Sequence, residues 1–450
     1  MRRLVDEAAR RIIEHIASLP SQPAANVEDA TEFARTLIEP LPRRGESFEK
    51  LLDFLFHEAI PRSFNTPGPG YLAYIPGGGI FPAAVADFIA TAVNRYVGVF
   101  AAAPALAQLE ANVIRWFCEI AGYGKRSGGV LTTGGSMANF IALATARKAQ
   151  LGDDFSRGTM YASNQVHHSF QKAAGLAGFP LMNVREIDCD DRFRVKVDAM
   201  EEAIAADRAD GFTPFLIVGS AGTVGTGAVD DLAGLAALAA RENIWFHVDG
   251  AYGAFFVLTE RGRAAMRGIE RADSIVLDPH KTLFHPYGTG ALIVKSAEQL
   301  RDAHSMHASY LPQFQQEDEL VDFCEVSPEL SRDFRGLRVW LPLKMFGIEP
   351  FRELLDEKLD LTLWATEELR KIKGIEIIAE PQLSIVAFRH VSRNNRELLD
   401  RINRRKRVML TGTTLGSEFV IRICVVSHRT HMDRMQMCIE DIKAAVGEIT

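Results

Sequence analysis

Long apolar runs are missing from this chain: nowhere do eighteen apolar residues follow one another, so no membrane-spanning helix is expected. The opening stretch, MRRLVDEAARRIIEHIASLP, breaks every apolar run with charge and so lacks the core of a secretory signal. Cysteine is scarce. The five residues, Cys118, Cys189, Cys324, Cys424 and Cys438, are scattered, odd in number and form no C-x-x-C pair. That argues against a disulfide framework and against a zinc site, and a reducing cytoplasm is the expected compartment. An excess of positive charge is also lacking. The net charge of −7 and pI of about 6.0 leave no electrostatic footprint for nucleic acid or an anionic membrane. A small-molecule partner is the better expectation. There is no internal repeat, no low-complexity tract, no Walker pattern G-x-x-x-x-G-K and no dinucleotide fingerprint G-x-G-x-x-G.

What remains is ordinary globular composition, 47% hydrophobic and 24% charged, over 450 residues. That length suits a large domain with smaller attachments. Residues 4–18 and 47–60 carry apolar residues at helical spacing, and both are expected to be amphipathic helices. A Pro/Gly-rich stretch from Pro67 to Pro82 follows them. These first segments lack an obvious core of their own, which makes a partner subunit a candidate for covering them. From about Ala83 to Phe346, apolar strands alternate with helical stretches. The strands are expected at Gly129–Thr132, Phe215–Val218, Ile244–Val248, Ser274–Leu277 and Ala291–Val294. Such alternation implies an α/β domain with a mainly parallel sheet. From about Gly347 a long helix leads to a smaller α/β region, with strands near Leu383–Arg389 and Phe419–Val425.

Five segments carry chemistry. In SIVLDPHKTLFHPYGTGALIVK, Lys281 follows the end of one apolar strand and precedes another. Alone, it reads equally as a surface lysine. In IWFHVDGAYG, Asp249 ends an apolar strand, where an α/β sheet opens to ligands. A carboxylate there could hold a protonated pyridine nitrogen or simply cap a helix. GGVLTTGGSMANF reads as strand, glycine turn and helix; Gly134, Gly135 and Ser136 would offer free N–H groups to a phosphate. His167 and His168 precede a helix. Adjacent histidines should point in different directions, so they make poor joint metal ligands, while one ring could stack on a cofactor. No metal site is expected. In GSAGTVGTGAVDDL, Thr223 could reach a cofactor oxygen, or the segment is a plain loop.

Taken in chain order, as glycine turn, histidine, small-residue loop, strand-end aspartate and lysine, the segments resemble the group II decarboxylases that depend on pyridoxal 5′-phosphate (PLP), which act on aromatic amino acids, tyrosine, histidine or glutamate. HVDGAYG and DPHK are the most specific parts, and LSRDFRGLRVWLPLK and FVIRICVVS also look like family segments. The resemblance implies fold type I, like aspartate aminotransferase, in a homodimer. Residues 1–65 would form a helical segment packed on the partner, 66–346 the PLP-binding domain and 347–450 a small domain. Lys281 would bind the cofactor covalently and Asp249 pair with its ring nitrogen. Ala251 would lie under the ring and His167 on its other face. Gly135, Ser136 and His280 would hold the phosphate, and Thr223 would lie near the ring substituents. The regions of Tyr71–Gly79, including Tyr74, and of Arg95–Phe100 would line the substrate pocket, with Arg422 near the active site. The implied reaction removes the α-carboxylate of an L-amino acid as CO₂, leaving the amine.

Two departures from the family stand out. The segment 313–331, expected to be a mobile lid with an acidic run (Glu317, Asp318, Glu319), has no tyrosine where relatives carry a proton donor. Ungapped alignment puts Phe323 there, a residue associated in the family with oxidative formation of an aldehyde. Tyr310, His168 or water are the other candidate donors. Asp278 stands where many relatives have asparagine, and it is expected to turn away from the phosphate and accept backbone N–H groups.

Overall fold

Seven apolar strands build the central sheet, and the computed structural model describes them among residues 1–75, 77–306 and 320–448. They are β1 (Gly128–Thr132), β2 (Gly158–Ser163), β3 (Val184–Ile187), β4 (Thr213–Ser220), β5 (Trp245–Asp249), β6 (Ser274–Leu277) and β7 (Gly290–Val294). Their spatial order is β1-β7-β6-β5-β4-β2-β3. The pairs β6–β5, β5–β4, β4–β2 and β2–β3 are parallel, while β7 runs antiparallel to both its neighbours. Strands β4, β5 and β6 are buried almost throughout, which is why they read as continuous apolar runs. Strands β2 and β3 escape that reading. The first, GTMYAS, is diluted by small and polar residues, and the second is only four residues long with two charges.

Two units divide the chain. One comprises Gly79–Asp360 with Ala379–Ile385 and contains the seven-stranded sheet. Its hydrophobic core is laid between the sheet and its helices by residues such as Ile141, Phe170, Leu216, Val276 and Leu292. The other comprises Met1–Gly78, Leu361–Ile378 and Val386–Thr450. A second sheet, in the order β10-β11-β9-β8, joins β8 (Ile375–Ile377), β9 (Ile385–His390), β10 (Thr411–Leu415) and β11 (Glu418–Cys424). The helices Asn395–Arg404 and Met432–Glu448 bring Leu398, Ile402, Met435 and Ile442 to the core beneath it.

This grouping cuts across the expected boundaries at 65/66 and 346/347. The reason is hydrogen bonding within the second unit: Ala24 N donates to Lys406 O, Leu72 N to Met409 O and the Arg434 guanidinium to Pro20 O. Leu72 is buried in the core of that unit. By contrast, the helix Arg2–Ser18 buries none of its residues within this chain. The second expected helix appears as Phe48–Phe54, capped by the Ser47 hydroxyl, and continues as a wider turn over Leu55–Ala59. No described helix is long and apolar enough to cross a membrane.

Candidate active site

The C-terminal ends of β1, β2, β4, β5 and β6 open on one side of the sheet, because β1 runs the same way as the four parallel strands. Ligands bind at that edge of open α/β sheets. A cavity of about 280 Å³ lies there, close to the small end of small-molecule sites at about 300 Å³. Asp249, His167, Gly135, Ser136, Thr223, Ala251, His280 and Lys281 all line it, although up to 146 positions separate them in the chain.

Each residue arrives by a local device. After β1 the chain turns through Gly134 into the helix Gly135–Leu151, whose first residues, Gly135 and Ser136, line the cavity. Position 135 has no room for a side chain. A Cβ there would come within 3.0 Å of both the Ala251 methyl and the Asp278 carboxylate. Asp249 is the last residue of β5. Its Oδ2 accepts from Asn139 Nδ2 at 3.0 Å and its Oδ1 from the Ala251 N–H at 3.2 Å. Thr223 is buried, and its hydroxyl lies 3.1 Å from that of Thr226 and accepts from Ala228 N–H.

Lys281 sits in the short helix Pro279–Thr282, one turn beyond β6. Its Nζ lies 3.0 Å from Asp278 Oδ2. His280 donates from Nδ1 to the Thr289 carbonyl at 2.6 Å, since a carbonyl can only accept. Burial lowers the His280 pKa, with Asp278 the largest opposing influence, and its Nε2 lies 3.7 Å from Asp278 Oδ2. Burial lowers the His167 pKa as well, with Asp249 the largest opposing influence.

Several expectations need correction. Asp278 does not accept backbone N–H groups. Both of its oxygens, on a residue 1% exposed, lack a hydrogen-bond donor, and its contact is with the charge of Lys281. The physical reason is position: the residue continues β6 in extended conformation to the cavity, where, among the described residues, Lys281, His280 and the Gly135 turn face its carboxylate. His167 and His168 do not point apart, because their ring centroids lie 4.2 Å apart at 41°. Phe323 does not line the cavity and does not ride on an exposed lid. It is fully buried in a short 3₁₀ turn, in the same apolar cluster as Val130, Ala138, Val276 and Leu292, with the Arg332 guanidinium 4.9 Å from its ring centre. The neighbouring Asp322 accepts from Phe100 N–H and helps fix the turn. The acidic run 317–319 and Tyr310 lie outside the described residues, as does Pro76 of the expected pocket stretch.

Tyr74 and Arg422 belong to the other unit. Tyr74 is about half exposed with φ of 53°, and Arg422 is buried with Nη2 donating to Thr411 Oγ1 at 3.0 Å. Arg95 is exposed. Asn139, Ser169 and His247 were not among the residues expected at the site. One signal was available for His247: in WFHVD, Trp245, His247 and Asp249 alternate and therefore share one face of the strand.

The residues present fit PLP. A primary amine, a strand-end carboxylate and a glycine-lined helix start meet in a single small cavity; the buried Asp278 is the one feature that does not favour a phosphate dianion.

The family model for the pyridoxal-dependent decarboxylase conserved domain matches residues 34–391. An aromatic-L-amino-acid decarboxylase of Bacillus atrophaeus is 35% identical over 461 aligned residues, covering 100% of this chain and 96% of that protein. Among solved structures, Oryza sativa TDC with PLP and tryptamine superposes with a TM-score of 0.94 at 25% identity, covering 99% of this chain and 97% of that one. Catharanthus roseus tryptophan decarboxylase in complex with L-tryptophan does so with 0.91 at 26%, covering 99% and 98%. The fold is therefore that of the type I PLP enzymes, and the cofactor is PLP. A family match over most of the chain, joined to similarity along its whole length, establishes that this protein belongs to the pyridoxal-dependent decarboxylases, carboxy-lyases that act on amino acids.

Proposed function

We propose that the substrate is an aromatic L-amino acid and that the products are its amine and CO₂. Full-length similarity to aromatic-L-amino-acid decarboxylases supports the substrate class. The observation that carries the site assignment is the meeting of Lys281 and Asp249 at one cavity on the open edge of the sheet.

In this reading Lys281 Nζ binds the cofactor covalently. The Asp249 carboxylate, held by Asn139 and the Ala251 amide, faces the ring nitrogen and retains its proton. Ala251 and His167 bound the ring on its two sides, and Thr223 lies near its substituents. Gly135, Ser136 and His280 hold the phosphate, using the N–H groups and dipole of the helix start. Bound there, PLP supplies the electron sink for the pair left at Cα when CO₂ departs. The protein's own contribution would be orientation, exclusion of water and a fixed Asp249 carboxylate for the ring nitrogen. Tyr74 and Arg422 are assigned to the substrate side, and His168 is one candidate source of the Cα proton. The protein is proposed to act as a cytoplasmic homodimer, with the helix Arg2–Ser18, none of whose residues is buried within this chain, packing on the partner.

A second reading, oxidative formation of an aldehyde, rests on the absence of tyrosine from residues 311–340. Incubating holoprotein with a panel of L-amino acids, while measuring CO₂, amine, aldehyde and oxygen uptake, tests both. CO₂ and amine from aromatic substrates are expected. Release of CO₂ only from acidic or basic amino acids would overturn the substrate class, and aldehyde with oxygen uptake would establish the second reading.

A further inference from the structure

We infer that a buried row of side chains, running from Trp245, Ser274 and His247 behind the cavity to Asn139, Asp249 and Ser169 in its wall, is a positioning array that fixes the Asp249 carboxylate and confines His167 to one tautomer. This rests on the reading above that Asp249 and His167 bear on the cofactor.

The placement follows from the strands. Trp245, His247 and Asp249 alternate along β5 and share a face. Ser274 begins β6 and lies opposite His247 in the parallel register. Asn139 comes from the second turn of the helix Gly135–Leu151 and Ser169 from the start of the helix Ser169–Leu176. All are inside the protein: Trp245, Ser274, His247, Asn139 and Ser169 are each at most 3% exposed.

The direction of every hydrogen bond is forced. The indole can only donate, and Trp245 Nε1 lies 2.8 Å from Ser274 Oγ. At the other end an ionised Asp249 can only accept, and it takes Asn139 Nδ2 at 3.0 Å. The Asn139 amide oxygen must then face His247 Nε2, at 2.9 Å, so Nε2 carries the hydrogen. Burial holds the His247 pKa down at about 4, so the ring is neutral and Nδ1 accepts the Ser274 hydroxyl at 2.8 Å. The second branch leaves from the same amide. Asn139 Nδ2 also reaches Ser169 Oγ at 3.0 Å. The Ser169 hydroxyl then points to His167 Nδ1 at 2.7 Å, and the Ser169 backbone N–H reaches the same nitrogen at 3.2 Å. Two donors on Nδ1 leave the His167 hydrogen on Nε2. Reversing any single step would set donor against donor or leave a buried polar atom unmet.

Asn139 is the junction, since one amide serves both the ring-nitrogen partner and the stacking histidine. The charged groups that bear on His167 are Asp249, His168, Lys281 and Asp278, and on His247 Asp249. Losing Asn139 would remove a donor that favours the Asp249 anion and fixes its orientation, so the carboxylate would become the more basic partner and draw the shared proton away from the ring nitrogen. The conjugated ring then draws electrons less strongly, and the nitrogen joining it to Lys281 keeps its proton to higher pH.

The test compares holoenzymes of wild type, Asn139→Ala, Ser169→Ala and Asp249→Asn. Asn139→Ala should lower kcat about 10- to 100-fold with KM within about threefold, and move the pH midpoint of the visible cofactor absorbance upward. Ser169→Ala should lower kcat less and leave that midpoint in place. A fall in kcat with an unmoved midpoint in Asn139→Ala would mark a merely structural role and overturn the array. If Asp249→Asn moves the midpoint and Asn139→Ala does not, the array fails while the reading of Asp249 stands; if Asp249→Asn moves neither midpoint nor kcat, the reading itself fails. Neutron diffraction from deuterated wild-type crystals needs no variant to fold. Deuterium on Nε2 of both His247 and His167 is expected, and deuterium on His167 Nδ1 would overturn the array.

Discussion

Two aspartates face the same cavity from neighbouring strands, and they are wired in opposite ways. Asp249, ending β5, accepts from an amide side chain and a backbone N–H, neither of which changes charge. Asp278, one step past β6, is just as buried, yet its oxygens accept no hydrogen bond and its support is the charge of Lys281 at 3.0 Å. Residue type and strand-end position are thus the same while the surroundings differ. Asp249 is held in one orientation by two neutral donors. Asp278 leans on Lys281, the group proposed to change its bonding as the cofactor is taken up and released. An unpaired buried charge is expensive, so the Asp278–Lys281 pair should hold the empty site closed on itself, and the bound cofactor should compete with it.

The largest effect should come from removing the group the two regions share. Lys281→Ala is expected to fold and to lose all turnover, together with any borohydride-fixed cofactor; circular dichroism and a turnover assay check both halves. Next comes the wired aspartate. Asp249→Asn should keep part of its cofactor binding through the phosphate end, and turnover should fall by orders of magnitude, because the ring-nitrogen proton loses its anion. Near-normal turnover in that variant would erase the distinction drawn between the two sites. The unwired aspartate should behave in the other direction. Asp278→Asn removes a negative charge beside the helix start and the competing partner of Lys281, so fluorescence titration should show severalfold tighter cofactor binding to the apoenzyme. Weaker binding would mean that Asp278 has a donor to satisfy in the complex.

A smaller effect concerns stability and pH. His247 and His285 are fully buried with pKa values lowered by burial to about 4. The unfolded chain protonates them near 6.5, so each stabilises the fold above that pH, and the stability is lost as pH falls from about 6.5 towards 4. Asp230 opposes this. Burial raises it from 3.8 to about 6, so its contribution to stability is lost as pH rises through that range. Two histidines outweigh one aspartate, and the melting temperature of the apoenzyme should drop between pH 6.5 and pH 4. A flat profile would indicate that these imidazoles are hydrated.

Much of the cavity was legible because its residues sit where strands end. Apolar runs marked β4, β5, β6 and β7, and the segments that follow the parallel strands β4, β5 and β6 reach the open edge, which is how Asp249 and Lys281 could be found. The wiring was not legible. Asn139 bonds His247 and Asp249 across 108 and 110 positions, and no local pattern reports a partner at that distance. Asn139 itself looks like any polar residue in a helix of mixed composition. Phe323 shows the opposite failure. Alignment placed it at the tyrosine position of a segment that reads as a lid from its acidic run and weak periodicity, whereas the apolar cluster around Val276 and Leu292 takes up its ring. Alignment also could not show that residues 1–78 would join the C-terminal strands, since that union is made by backbone hydrogen bonds between Leu72 and Met409 and between Ala24 and Lys406.

The central claim is that a single lysine, Lys281, carries the cofactor of a decarboxylase. Borohydride reduction of the holoenzyme, digestion and mass spectrometry test it directly. The account predicts one pyridoxyl-modified peptide, containing DPHK with the label on Lys281, and loss of CO₂ release in step with labelling. A modified peptide containing any other lysine, or full CO₂ release after Lys281 is labelled, would contradict it.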